Sequence, residues 1–195
     1  MRNWLLRNRA FLVFIPIVGA SLWLAYPTMP SATFLGWLCG GLLAWTLMEW
    51  LAHRAMHLKL RSQWLSRIQD EAHLRHHREP DDLEHSVLRL RASLPISAFI
   101  LIAARVVAGG WPAAITWTAG VLIGYMLYEF VHLTSHGQPR SPVLRKLHSY
   151  HLRHHFQQSD RGFGVTSPLW DWVFGTMPAR RETYESGTAE TVRIR

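Results

Sequence analysis

Charge is what this chain has little of. Only 17% of its 195 residues are Asp, Glu, Lys or Arg, while 49% are hydrophobic. A soluble domain ordinarily carries about 25% charged residues, so the deficit points to the membrane class. Cysteine is almost absent as well. The single Cys39 excludes an intrachain disulfide, and its place in an apolar run reads as a small packing residue. Acid is the scarcer sign, with 13 Asp and Glu against 21 Lys and Arg, for a net charge of +8. That excess raises nucleic acid as a partner. The basic residues, however, are spread among apolar runs and histidines and form no stripe with aromatic platforms, which excludes that class. The length favours one domain, drawn here as 1–178, with 179–195 as a disordered tail.

Apolar runs are plentiful. The first, 11–26, follows Arg2, Arg7 and Arg9 and ends at Pro27 and Pro30. A basic start before an apolar stretch also suits a cleaved signal peptide, but further apolar segments follow and favour a membrane span. The second run, 33–48, leads directly into Glu49, His53 and His57; a helix rising ~1.5 Å per residue carries its last turns into the aqueous boundary. The third, 94–108, contains Arg105 near its end, where an arginine snorkels to the headgroups. A turn at Gly109-Gly110-Trp111-Pro112 precedes the fourth, 113–131, and Glu79-Pro80-Asp81-Asp82 reads as a helix break. The connections at 27–31 and 109–112 carry no Lys or Arg, whereas 20 of the 21 basic residues lie in the N-terminus, the 54–91 segment and the C-terminal third. By the positive-inside rule those three regions are cytoplasmic. Six of the ten tryptophans, Trp4, Trp23, Trp37, Trp50, Trp64 and Trp111, fall near predicted membrane boundaries and read as an interfacial belt. The fold class expected is all-α: a four-helix transmembrane bundle under a cytosolic helical cap.

Histidine is the residue in excess. Ten of the twelve fall into four groups: His53/His57, His73/His76/His77, His132/His136 and His151/His154/His155. Residues three and four apart share a helix face, so each group is expected to aim its imidazoles at one point, as metal ligands do. A closed zinc site uses four ligands, and ten are too many for one ion. Two ions with about five nitrogens each account for them and leave positions open for water or dioxygen. Four crossings bring all four groups to one side of the membrane. Glu49 and Glu129 each share a face with a histidine one turn on, where a carboxylate accepts the ring's second N–H; the alternative is a helix-end acid facing water. His148 reads as a supporting group or a spare ligand, and His85 as a surface residue. A membrane metal transporter is the non-enzymatic alternative, disfavoured because its polar ligands belong at the bilayer midplane.

The pattern resembles the fatty acid hydroxylase superfamily of membrane di-metal oxygenases, which includes sterol desaturases and carotenoid hydroxylases. The resemblance runs from Glu49 to Met177 and is strongest from Gly124 through Tyr128-Glu129-Phe130-Val131-His132 to His136, then His151-x-x-His154-His155, then Gly162 to Thr176. It is most similar to the catalytic core of fatty acid 2-hydroxylases. The first box, His53-x-x-x-His57, has one residue fewer between its histidines than those enzymes use, and Arg78-Glu79-Pro80-Asp81-Asp82 departs from their pattern. The resemblance implies His53, His57, His73, His76, His77, His132, His136, His151, His154 and His155 as ligands of two iron ions, with zinc as a substitute in purified protein. It implies dioxygen as co-substrate, a lipid acyl chain as substrate, and an electron donor of cytochrome b5 or ferredoxin type on a separate chain. A sterol or carotenoid hydroxylase or a desaturase is the alternative within the superfamily. Phe163, Trp170, Trp172 and Phe174 then line the lipid entrance or anchor the interface, and Asp171 orients a ligand histidine or caps a helix.

Overall fold

The computed structural model describes residues 9–80, 88–137, 139 and 141–179, and all of its regular elements are helical. His85, the residues of the 79–82 break beyond Pro80, Arg2, Arg7 and Trp4, and the tail beyond Ala179 lie outside the described residues. Helix α1 spans Arg9–Ala25 and runs into a 3-10 turn at Tyr26–Thr28; α2 spans Ser31–Met56. Three short pieces follow, α3 (Gln63–Gln69), a wide π turn (Asp70–Leu74) and α4 (Arg75–Arg78). Then come α5 (Leu90–Ala108), α6 (Trp111–Ser135), α7 (Pro142–Phe156) and α8 (Leu169–Val173).

Four helices, 9–28, 31–56, 90–108 and 111–135, are long and apolar enough to cross a membrane, and each extends the expected run at one end or both, the second furthest, from 48 to 56. The 26 residues of α2 and 25 of α6 are the longest. At ~1.5 Å per residue both exceed a hydrocarbon core of ~30 Å by roughly one and a half turns. Those surplus C-terminal turns carry His53 and His57 on α2, and His132 and His136 on α6.

Helix α6 is the centre of the bundle, packed against α1, α2, α5 and α7. Its buried residues include Ala114 and Val121, and Ala119, Leu122 and Tyr125 cluster with Phe14 and Val18 of α1. Phe14 meets Tyr125 edge-on at 5.5 Å. The α2–α6 crossing is made by glycine: a methyl group added at Gly41 would overlap the Trp117 carbonyl, and one at Gly120 the Leu38 carbonyl. Small residues let transmembrane backbones approach this closely. Cys39 faces outward from the same helix and is exposed, so its expected packing role does not hold. The faces of α1 and α5 turned away from α6 expose large apolar side chains, among them Leu12, Ile15, Phe99, Ile102, Val106 and Val107, as a lipid-facing surface requires.

The cap is stitched to the end of α2 by Gln69, whose amide donates to the carbonyls of Ala55 at 2.7 Å and Leu58 at 2.9 Å. Carbonyls at a helix C-terminus lack intrahelical donors, and Gln69 satisfies them from α3. Trp50 corrects the interfacial-belt reading. It is 2% exposed, stacks on Phe174 at 4.5 Å and donates to Asp171 and Thr176, whereas Trp23, Trp64 and Trp111 are exposed as expected.

Candidate metal centre

Each of the ten histidines reaches the centre from a helix end or from the cap. Two come from the last turns of α2, two from the end of α6, three from the π turn and α4, and three from α7. They converge as two groups of five, His53, His57, His73, His77 and His154 in the first and His76, His132, His136, His151 and His155 in the second. Within each group the nearest ring nitrogens all lie within 4.8 Å of one another, and among the described residues no carboxylate belongs to either.

This division corrects the expectation that each His-x-x-His-His box aims at one point. His73 and His77, four apart, face the first group, while His76 between them faces the second. The later box is its mirror: His151 and His155 face the second group and His154 the first. A helix turns ~100° per residue, so positions i and i+4 share a direction while i+3 stands off to its other side. Each box therefore supplies both groups. The two are joined face to face where the rings of His77 and His155 stack at 4.0 Å with 9° between planes.

The distances suit a metal. In the first group Nε2 of His73 lies 3.1 Å from Nε2 of His57 and 2.9 Å from Nε2 of His77, which is 3.2 Å from Nε2 of His154. In the second, the Nε2 pairs His132/His76, His151/His136 and His155/His151 are 3.1, 3.3 and 3.0 Å apart. With metal–nitrogen bonds of ~2.1 Å, ligands at right angles stand ~3.0 Å apart. Hydrogen bonds between the rings explain the geometry less well. His53 and His154 place Nδ1 against backbone carbonyls, Phe163 at 2.6 Å and Arg161 at 2.7 Å. That fixes the proton on Nδ1 and leaves a bare lone pair on Nε2. Nε2 of His53 is buried and has no hydrogen-bond partner, as expected of a ligand atom aimed at an ion.

Electrostatics keep the rings in their ligating form. Burial, reinforced by the neighbouring imidazoles, lowers His57 to about 4 and His77 to about 2 and holds His73, His151 and His155 below the ordinary histidine value. His154 is also lowered by burial, against the opposing pull of the Arg161 carbonyl. Neutral imidazole at neutral pH is what a metal requires.

The expected supporting residues are present but act on other partners. Glu49, 4% exposed, does not meet His53. Its carboxylate accepts from the backbone N–H groups of Val165 and Thr166, at 2.5 and 2.9 Å, and from the Thr166 hydroxyl at 2.6 Å. Glu129 accepts from the Tyr125 hydroxyl one turn earlier, not from His132. Tyr128 is the residue that touches His132, its ring stacked at 5.3 Å. His148 belongs to neither group; its Nδ1 pairs with the Ser135 carbonyl at 2.8 Å, tying α7 to the end of α6 beside His136. Asp171, wholly buried, neither caps α8 nor touches a histidine. It accepts from the N–H groups of Phe163 and Gly164, the Trp50 indole, and the hydroxyls of Tyr150 and Thr176. Phe163 is buried against His53, His57 and His154, with ring centroids 5.7 to 5.8 Å away, whereas Trp172 and Phe174 are exposed. Trp170 donates to Thr46 of α2 at 2.9 Å. The carbonyls of Phe163 and Arg161 were not predicted, because a backbone carbonyl has no signature in a sequence.

Comparison with known proteins agrees with this centre. Residues 38–176 match the family model described as fatty acid hydroxylase. A dihydroceramide fatty acyl 2-hydroxylase of Arabidopsis thaliana is 37% identical over 142 residues, covering 71% of this chain and 59% of the relative. The fatty acid 2-hydroxylase of Rattus norvegicus is 33% identical over 154 residues, covering 76% of this chain and 41% of the relative. A ceramide very long chain fatty acid hydroxylase of Saccharomyces cerevisiae is 33% identical over 175 residues, 84% of this chain and 43% of the relative. The chain thus spans from about two fifths to three fifths of these relatives' length. A solved structure of full-length scs7p, in which only the hydroxylase domain is visible, superposes with a TM-score of 0.81 at 29% identity, covering 87% of this chain and 66% of that one. With a family model matched over most of its length and the paired five-histidine groups inside the matched region, this chain belongs to the fatty acid hydroxylase family.

Proposed function

We propose that the chain is a membrane di-iron oxygenase core, one domain over 1–178, that hydroxylates carbon 2 of a fatty acyl chain, free or in a sphingolipid. The observation that carries this reading is the pair of five-imidazole groups at one end of a membrane bundle. His53, His57, His73, His77 and His154 would hold one ion, and His76, His132, His136, His151 and His155 the other. Five nitrogens around an ion of octahedral preference leave one position free. Bound iron would supply the dioxygen activation that an unreactive C–H bond demands and that no side chain provides.

The chain's own part is positional. Apolar outer faces of the spans keep an acyl chain in lipid up to the level of the histidines. Phe163 walls the first group against water, and the Tyr128 ring fixes the plane of His132. The all-nitrogen donor set accepts zinc as readily as iron in purified protein. Electrons come from a separate cytochrome b5-like or ferredoxin-type protein, and the distribution of Lys and Arg supports a cytoplasmic side for the termini and the centre. The names of the relatives supply the substrate class and the 2-position. Reconstituting the chain with iron, a reducing system and acyl lipids under labelled dioxygen tests the reading. The product should gain one labelled oxygen at carbon 2. Loss of two hydrogens without oxygen would make the chain a desaturase, and no change in any acyl, sterol or carotenoid substrate would end the oxygenase reading.

A further inference from the structure

The last segment before the C-terminal tail contributes His154 from α7 and then, from 161 to 166, a strap of backbone lying over the first histidine group. The strap buries the side chains of Phe163 and Val165. It is held by buried carboxylates: Asp171 takes the N–H groups of Phe163 and Gly164 at 3.0 and 2.7 Å, and Glu49 takes those of Val165 and Thr166. Gly162 enters the strap with φ of 74°, its N–H on the Thr176 carbonyl at 2.8 Å, and the Arg161 guanidinium reaches the carbonyls of Gly175 and Met177. So anchored, the strap presents two carbonyls to rings, Phe163 to His53 and Arg161 to His154. Both rings belong to the first group.

We infer that Asp171 is a positioning residue for one half of the centre, fixing the tautomer and plane of His53 and His154 through the Phe163 and Arg161 carbonyls and so setting the metal affinity of the first group alone. This rests on the reading that each group holds an ion. Carbonyl or carboxylate partners of this kind orient a ligand imidazole and raise its basicity, and their loss costs roughly 10- to 100-fold in metal affinity. The need at 171 is specifically for a carboxylate. One oxygen receives two N–H groups, from Trp50 and Phe163, and the other receives that of Gly164. An amide in either orientation therefore turns its NH2 against an N–H that can only donate. Position 49 is more forgiving. There one oxygen takes both N–H groups, of Val165 and Thr166, and the other meets the Thr166 hydroxyl, which can turn to accept.

Cobalt(II) titration of the whole metal-free chain in lipid nanodiscs, with metal counted per chain, tests the inference. Wild type should bind two ions. Asp171→Asn should keep one at wild-type affinity and weaken the other by roughly 10- to 100-fold. Asp171→Glu should recover part of the loss, and Glu49→Gln should lose only a few-fold. Gly164→Ala, whose methyl group would overlap the Ser167 carbonyl and crowd Asp171, displaces the strap without changing charge and should behave as Asp171→Asn does. His136→Ala weakens the other ion, and combined with Asp171→Asn should weaken both. Two ions held at wild-type affinity in Asp171→Asn and Gly164→Ala, equal weakening of both ions in either, or failure of both variants to fold overturns the inference. A wild-type chain that binds fewer than two ions overturns the underlying reading and the inference with it.

Discussion

Substituting His76 and His77 one at a time should separate the two halves of the centre, although the residues are neighbours. Their rings stand in different groups. His77→Ala should leave the second ion in place and His76→Ala the first, each variant holding about one ion per chain by metal analysis. Lipid oxidation should fall by ~100-fold or more in both, since removing a ligand costs at least what removing its support does. Acid should act on the metal-free chain through the same rings. His57 is lowered by burial from 6.5 to about 4, so between those values the unfolded chain takes up a proton that the folded chain refuses. The unfolded state binds more protons there, and stability falls as pH falls. The contribution is complete above pH 6.5 and lost by about pH 4. Thermal unfolding of the metal-free protein should show a midpoint that declines across that window, and a flat midpoint would contradict the burial of the ring.

Among the elements, the α2–α6 crossing decides whether His53 and His57 meet His132 and His136 at the same depth. Gly41 and Gly120 sit where the two backbones touch, so Gly41→Ala or Gly120→Ala must push the helices apart. Overpacking of this kind costs about 1–3 kcal/mol, and backbone on both sides gives little room to relax. Gly36 has open space around it, so Gly36→Ala should be neutral or slightly stabilising in the same unfolding assay in detergent. The apolar runs were visible in the sequence because hydropathy is local and a span needs about 20 residues of it. The crossing was not, because glycines at 41 and 120 state a close approach only once their helices are known to be neighbours. The same applies to Trp50. Its position near a span end suggests an interfacial ring, and only the strap and α8 folding over it bury its indole on Asp171 and Thr176.

For the whole molecule, four helices of spanning length bring the early and the late histidine boxes to one end of the bundle. In a Cys39→Ala background, a cysteine at Asp160 should react with an impermeant thiol reagent from the side that carries the centre. One at Trp111, at the opposite turn, should react only from the other side. Labelling of both from one side would break the four-span arrangement. The combined presence of a bundle, a cap and a strap also explains why the supporting acids were misassigned. Glu49 and His53 are one turn apart, yet Glu49 finds its donors at Val165 and Thr166, more than a hundred residues along the chain.

What the sequence determined unaided is what short-range regularity can express. Four apolar runs of spanning length gave the helices, and the spacing of ten histidines gave a donor set large enough for two ions. Tertiary structure decided the rest. It divided each box between two groups, because helix rotation sends neighbouring rings in different directions and only the packing of α2, α6, α7 and the cap determines what each one meets. It also brought the carbonyls of Phe163 and Arg161 to His53 and His154, since a backbone carbonyl is identical at every position and acquires a role only from where the chain is folded.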